Sequence, residues 1–161
     1  MADIVYLEDE EQIARFVKAG LEREGHSVAY EACAQTLLER IESEMFAPGT
    51  VYLLDNTNIR LTNPRPYSGS DVALRVLEHD PTARIILGTG NALEDLPLQI
   101  QTGVQRGHIG YLKKPFRMAA LQDIVHEYSP IKPKHTEERE EDIVEDISIT
   151  PYRSNSLRPS L

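Results

Sequence analysis

The chain has 161 residues, 17 of them basic and 26 acidic, a formal charge of −9, one cysteine and no tryptophan. So acidic an average surface repels nucleic-acid phosphates, and no basic stripe overrides it, so direct nucleic-acid binding is not expected. The lone Cys33 excludes an internal disulfide, no apolar run reaches the roughly 20 residues of a bilayer span, and Met1-Ala2-Asp3-Ile4 lacks the character of a signal peptide, so a cytoplasmic protein without membrane contact is expected.

Apolar and helical patterns then alternate along the chain. Ile4-Val5-Tyr6-Leu7 reads as a buried strand running into the acidic Glu8-Asp9-Glu10. Ile13, Phe16, Val17, Gly20 and Leu21 recur at helical spacing, and Gly25 closes that helix. Ser27 to Glu31 is a weak second strand. Leu37, Leu38, Ile41 and Met45 mark a second helix, stopped by Pro48-Gly49. Val51-Tyr52-Leu53-Leu54 is a third strand ending at Asp55, followed by a long polar loop to about Gly69. Val72, Ala73, Val76 and Leu77 stripe a third helix that Asp80-Pro81 ends. Arg84-Ile85-Ile86-Leu87 is a fourth strand, with Gly88-Thr89-Gly90 at its end. Leu93 to Arg106 fits a fourth helix with Pro97 in its first turn or at a kink. Gly110-Tyr111-Leu112-Lys113 is a fifth strand before Lys114-Pro115, and Met118, Leu121, Ile124, Val125 and Tyr128 line a fifth helix.

This alternation predicts an α/β fold, a doubly wound five-stranded parallel sheet with helices on both faces, over residues 1–129. Residues 130–161 change character: four prolines, Pro130, Pro133, Pro151 and Pro159, surround an acidic run from Glu137 to Asp146. They read as a largely disordered tail, or, given Ile143, Val144, Ile147 and Ile149, as a segment ordered by a partner or a second copy.

Ligands of such sheets bind at the carboxyl ends of the strands. Those ends carry Glu8, Asp9 and Glu10 after the first strand, Asp55 after the third, Thr89 after the fourth and Lys114 after the fifth. Clustered carboxylates repel one another unless a cation neutralises them, and all-oxygen donors select a hard ion such as Mg²⁺. A carboxylate beside such an ion is a nucleophile for a phosphoryl group, whose oxygens a lysine ammonium and a threonine hydroxyl can then meet. Taken singly, the acidic pair fits a helix N-cap, Asp55 a turn, Thr89 a local cap, and Lys114-Pro115 a strand exit. Their occurrence in order, each at a strand end, favours the joint explanation.

The same blocks, Ile4 to Glu10, Tyr52-Leu53-Leu54-Asp55, Ile85 to Gly90 and Gly110 to Phe116, resemble the signature segments of response-regulator receiver domains, from about Asp3 to Tyr128. The resemblance implies Asp55 as phosphoacceptor and Glu8 and Asp9 as the acidic pair that holds Mg²⁺ with Asp55. It implies Thr57 as the donor of a backbone carbonyl to the metal, Thr89 as the switch hydroxyl and Tyr111 as the switch aromatic. Lys114, favoured over Lys113 by the adjacent Pro115-Phe116, becomes the phosphoryl-contacting lysine, with a cis bond to Pro115. The family implies a histidine kinase or phosphotransfer protein as donor and a downstream protein target. It also implies a face of fourth helix, fifth strand and fifth helix for contacts that include homodimerisation.

Three departures stand out. The loop from Asn56 to Ser68 is long and carries Asn63-Pro64-Arg65-Pro66, Gly90 replaces the more usual alanine, and Pro97 interrupts the fourth helix. The loop fits a lid, a recognition element or a tolerated insertion. The expected function is a single-domain, phosphorylation-activated switch acting through protein contacts, with chemistry only on its own aspartate. A non-phosphorylated docking or dimerisation module is the alternative. A flavin carrier would need a phosphate loop where Glu8-Asp9-Glu10 stands, and a phosphohydrolase would need a second Asp that Asn56-Thr57-Asn58 does not supply.

Overall fold

The computed structural model describes residues 1–43, 45–56, 58–59 and 67–130. The chain divides between Ile131 and Lys132, and every described residue lies in the first part. The expected tail, apart from Pro130, lies outside the described residues, as does Thr57.

The elements run β1 (Asp3–Leu7), α1 (Glu11–Arg23), β2 (Ser27–Glu31), α2 (Ala34–Glu42), β3 (Val51–Asp55), β4 (Asn58–Ile59), β5 (Tyr67–Ser68), α3 (Gly69–His79), β6 (Arg84–Thr89), α4 (Leu98–Gln105), β7 (Ile109–Lys113) and α5 (Met118–Tyr128). A single 3-10 turn, Leu93–Asp95, precedes α4. Among the described residues, β2-β1-β3-β6-β7 form one five-stranded parallel sheet, as the alternating pattern predicts. Its order reverses at β1 and β3, which places the switch-point crevice at the carboxyl ends of those two strands.

Period-two alternation sorts the side chains between the faces. Val5, Leu7, Tyr52, Leu54, Ile85 and Leu87 share one buried cluster with Leu37, Ile41, Val72, Val76 and Ile100 of α2, α3 and α4. Ile4, Tyr6, Val51, Leu53 and Ile86 share the other with Ala14, Val17, Leu21, Leu121 and Val125 of α1 and α5. Every residue of β3 is buried, so Asp55 is carried to the middle of the sheet edge by the most enclosed strand. Each such Leu or Ile contributes about 1.5–3 kcal/mol by leaving water.

Four local expectations are corrected. Ile13 and Phe16 are 37% and 68% exposed, because the buried stripe of α1 runs through Ala14, Val17 and Leu21 instead. Met45 is 63% exposed and lies beyond α2, which ends at Glu42. Pro97 does not lie inside a helix from Leu93 to Arg106; it stands at the N-cap of α4, where its missing N–H costs nothing. The loop after Asp55 is not wholly irregular, since β4 and β5 pair antiparallel, Asn58 with Ser68 and Ile59 with Tyr67.

The start of α3 decides the shape of the crevice. Ser68 caps it through a reciprocal bond with Asp71, and Gly69 follows. A Cβ on Gly69 would stand 2.2 Å from the Asp55 carbonyl oxygen and 2.7 Å from its carbonyl carbon. Only a residue without that carbon lets α3 begin against the end of β3.

Candidate functional site

Strand register brings the predicted residues to one end of the sheet. Leu7 pairs with Leu54, so Glu8 and Asp55 leave adjacent strands side by side. Asp55 pairs with Gly88 and Thr89 with Lys113, which sets Thr89 and Lys114 on the next strands.

Carboxylate oxygens of Glu8, Asp9 and Asp55 lie within 4.8 Å of one another. Glu8 and Asp55 are each only 2% exposed, whereas Asp9 opens to solvent. The Lys114 ammonium donates to Asp55 Oδ1 and stands 3.6 Å from Glu8 Oε2. The Lys114–Pro115 bond is cis.

Glu8 is held on all sides. The Tyr6 hydroxyl donates to its Oε2 at 3.3 Å, the Glu10 N–H donates to its Oε1 at 3.2 Å, and the Tyr30 hydroxyl donates to its main-chain carbonyl at 2.9 Å. Burial pushes the Glu8 carboxyl above its usual range, and the Asp55 charge adds to that; Lys114 and the Glu10 N–H pull the other way. Burial, followed by the Glu8 charge, drives the Tyr6 phenol far above its ordinary value, so it stays a donor. Glu10, although at the N-cap of α1, makes no side-chain cap bond. Side-chain capping therefore does not account for Glu10.

Three carboxylates with one ammonium, shared by Glu8 and Asp55, leave a net negative pocket of oxygen donors, two of whose members are shielded from water. That donor set suits a hard divalent cation such as Mg²⁺, with Asp9 exposed enough to admit it. Among the described residues this is the one acidic or imidazole cluster close enough to hold an ion.

Thr89 is 1% exposed, and its hydroxyl oxygen accepts from Asn56 Nδ2 at 3.3 Å and from the Asn91 N–H at 3.0 Å. Its carbonyl accepts from the Lys114 N–H at 2.8 Å. Tyr111, half-buried, donates its hydroxyl to the Asn91 carbonyl at 2.7 Å. Lys113 donates instead to the Gly90 carbonyl at 2.5 Å. Thus Thr89, Tyr111 and Lys113 all grip the Gly90-Asn91 loop. A Cβ on Gly90 would meet nothing within 4 Å, so glycine is not sterically required there.

The residues sequence reasoning missed are Tyr6, Tyr30, Asn56 and Ser70. Tyr6 had a signal, since positions two apart on a strand share a face and a tyrosine two before Glu8 is placed to reach it. Asn56 and Ser70 depend on a loop path that no period encodes.

No family model and no curated protein matches the chain. Solved structures do. A response-regulator receiver domain protein from Clostridium thermocellum superposes with a TM-score of 0.63 at 21% identity, over 80% of this chain and 94% of that one. A CheY-like receiver domain protein from Methanospirillum hungatei gives 0.59 at 24% identity, over 79% and 92%. The chemotaxis protein CheY4 of Vibrio cholerae gives 0.59 at 22% identity, over 80% and 98%. With its order β2-β1-β3-β6-β7 and helices on both faces, the chain has the fold of response-regulator receiver domains.

Proposed function

We propose that this chain is a signalling switch that accepts a phosphoryl group on Asp55 from a histidine kinase or histidine phosphotransfer protein. One observation carries the reading: the carboxylates of Glu8, Asp9 and Asp55 converge within 4.8 Å, with the Lys114 ammonium on Asp55, at the switch-point crevice of a receiver fold.

Each residue has a task that its position supports. An Asp55 carboxylate oxygen attacks phosphorus, the phosphorus–nitrogen bond of the donor's phosphohistidine breaks, and the imidazole leaves with the bonding electron pair and takes up a proton. Lys114 neutralises charge on the phosphoryl oxygens. Asp9, Glu8 and Asp55 would hold Mg²⁺, with Thr57 as the proposed carbonyl donor; that ion supplies further neutralisation of the phosphoryl charge. Tyr6 and Glu10 orient the Glu8 carboxylate for this work. Thr89 offers a hydroxyl to a phosphoryl oxygen, and the Gly90-Asn91 loop links that hydroxyl to Tyr111.

The output is a protein–protein contact with a downstream target, or a homodimer, on the face of α4, β7 and α5. Leu98, the first residue of α4, is 72% exposed. The chain is not a turnover enzyme in this reading. It acts in the cytoplasm; among the described residues no helix is long and apolar enough to cross a membrane.

The test is intact mass after incubation with acetyl phosphate. One phosphoryl adduct that requires Mg²⁺ and disappears in Asp55→Asn is expected. No adduct, under conditions that label another receiver domain, would refute the reading and favour a docking module that is never phosphorylated.

A further inference from the structure

Asn56 follows Asp55 directly and is bonded at both ends of its side-chain amide. Oδ1 accepts from the Ser70 N–H at 2.8 Å and from the Ser70 hydroxyl at 2.7 Å. Nδ2 donates to Thr89 Oγ1 at 3.3 Å. The chemistry fixes which end is which, since a rotated amide would set its NH₂ against the Ser70 N–H.

The Asn91 N–H is the second donor to Thr89 Oγ1, at 3.0 Å. A hydroxyl has two acceptor lone pairs and one proton. Asn56 and Asn91 engage both lone pairs, so together they dictate where the proton can go. Ser70 and Thr89 are 3% and 1% exposed, which keeps water from substituting for either bond. The bare Cα of Gly69, set against the Asp55 carbonyl, is what brings Ser70 within reach of Asn56.

We propose that Asn56 is a positioning residue. Clamped by Ser70, it holds the Thr89 hydroxyl so that its proton is the valence left for an acceptor carried on Asp55. It thereby ties the start of α3 to the switch. The functional half of this inference rests on Asp55 being the phosphoacceptor; the positioning half does not.

The experiment is solution NMR of the full chain with threonine methyl labelling, first unmodified and without metal. Three-bond couplings of Thr89 should report one side-chain rotamer in the wild type and averaged rotamers in Asn56→Ala. Ser70→Ala, which keeps the Ser70 N–H, should fall between them and serves if Asn56→Ala does not fold. Single-rotamer couplings in Asn56→Ala, or averaged couplings in the wild type, would overturn the proposal. In the second arm, acetyl phosphate and Mg²⁺ are added and the Thr89 methyl shift is followed. The ratio of bonded to unbonded Thr89 should fall about two- to tenfold in Asn56→Ala, as expected for one lost hydrogen bond. An unchanged ratio would overturn the coupling of Asn56 to the switch. Absence of any wild-type adduct would refute the phosphoacceptor reading instead, and the first arm would still decide the role of Asn56.

Discussion

Lys114→Met removes the ammonium that Asp55 and Glu8 share and keeps most of the aliphatic stem. Both carboxylates are almost wholly buried, so their charges would lose a partner where water cannot replace it. Breaking such a pair costs about 3–5 kcal/mol. The Lys114 side chain is 25% exposed, which sets the expected loss near the lower bound, at about 3 kcal/mol in EDTA at neutral pH. With a urea dependence of ~2 kcal/mol/M, the unfolding midpoint should fall by about 1.5 M. Two companions make the reasoning testable. In an Asp55→Asn background the same substitution should cost less than half as much, because the principal charge is gone. Acid should also soften the loss. Glu8 has a raised folded pKa, so between 4.5 and that value the native state binds more protons than the unfolded state. Its ionisation therefore removes stability as pH rises, and Lys114 opposes this. Without Lys114 the decline should start from the same acid limit and extend to higher pH. Equal costs in both backgrounds, independent of pH, would show that Lys114 acts only by packing.

Gly69→Ala should cost about 2–4 kcal/mol by urea unfolding, since the new carbon meets backbone at 2.2 Å and a core shift of that kind is expensive. Gly90→Ala should instead raise stability by about 0.4–1 kcal/mol in the same assay, because its site is open and only the unfolded chain is restricted. Tyr6→Phe should weaken Mg²⁺ binding by about tenfold or more in calorimetry, through the lost hydroxyl that orients Glu8; unchanged affinity would remove Tyr6 from the site. His26 titrates below 6.5, chiefly through burial and then the N-terminal charge, and its Nδ1 accepts from the Ala2 N–H at 3.1 Å. The unfolded chain binds that proton more readily, so this contribution is full above pH 6.5 and is lost as pH falls through the folded value. His26→Gln should flatten that part of the curve.

The sheet was legible because parallel strands are buried on both faces and read as continuous apolar runs, as Val51 to Leu54 and Ile85 to Leu87 do. The rule that ligands meet the carboxyl ends of such strands makes the convergence of Glu8, Asp9, Asp55 and Lys114 legible from strand order alone. Helix faces were less legible. Ile13 and Phe16 continue an apolar spacing on α1, yet hydrophobicity does not say which of two overlapping stripes meets the sheet. The Asn56–Ser70–Thr89 chain was invisible for another reason: its members are polar loop and cap residues brought together by the approach of α3, which one missing Cβ permits.

The parallel sheet has a consequence for folding. No two neighbouring strands of a parallel pair are joined by a tight turn, and the ion pair of Lys114 with Asp55 spans 59 residues of chain. Glu8 and Asp9 follow β1, Asp55 ends β3 and Lys114 follows β7, so an intermediate lacking β3 has an incomplete set of carboxylates and one lacking β7 has no ammonium beside them. Such topologies close their long loops before the contacts reward them. A copy in which β7 has not yet docked therefore holds Glu8 and Asp55 without their ammonium partner. The charge balance of the crevice is complete only once the last strand has joined the sheet, so distant parts of the chain are coupled through their electrostatics.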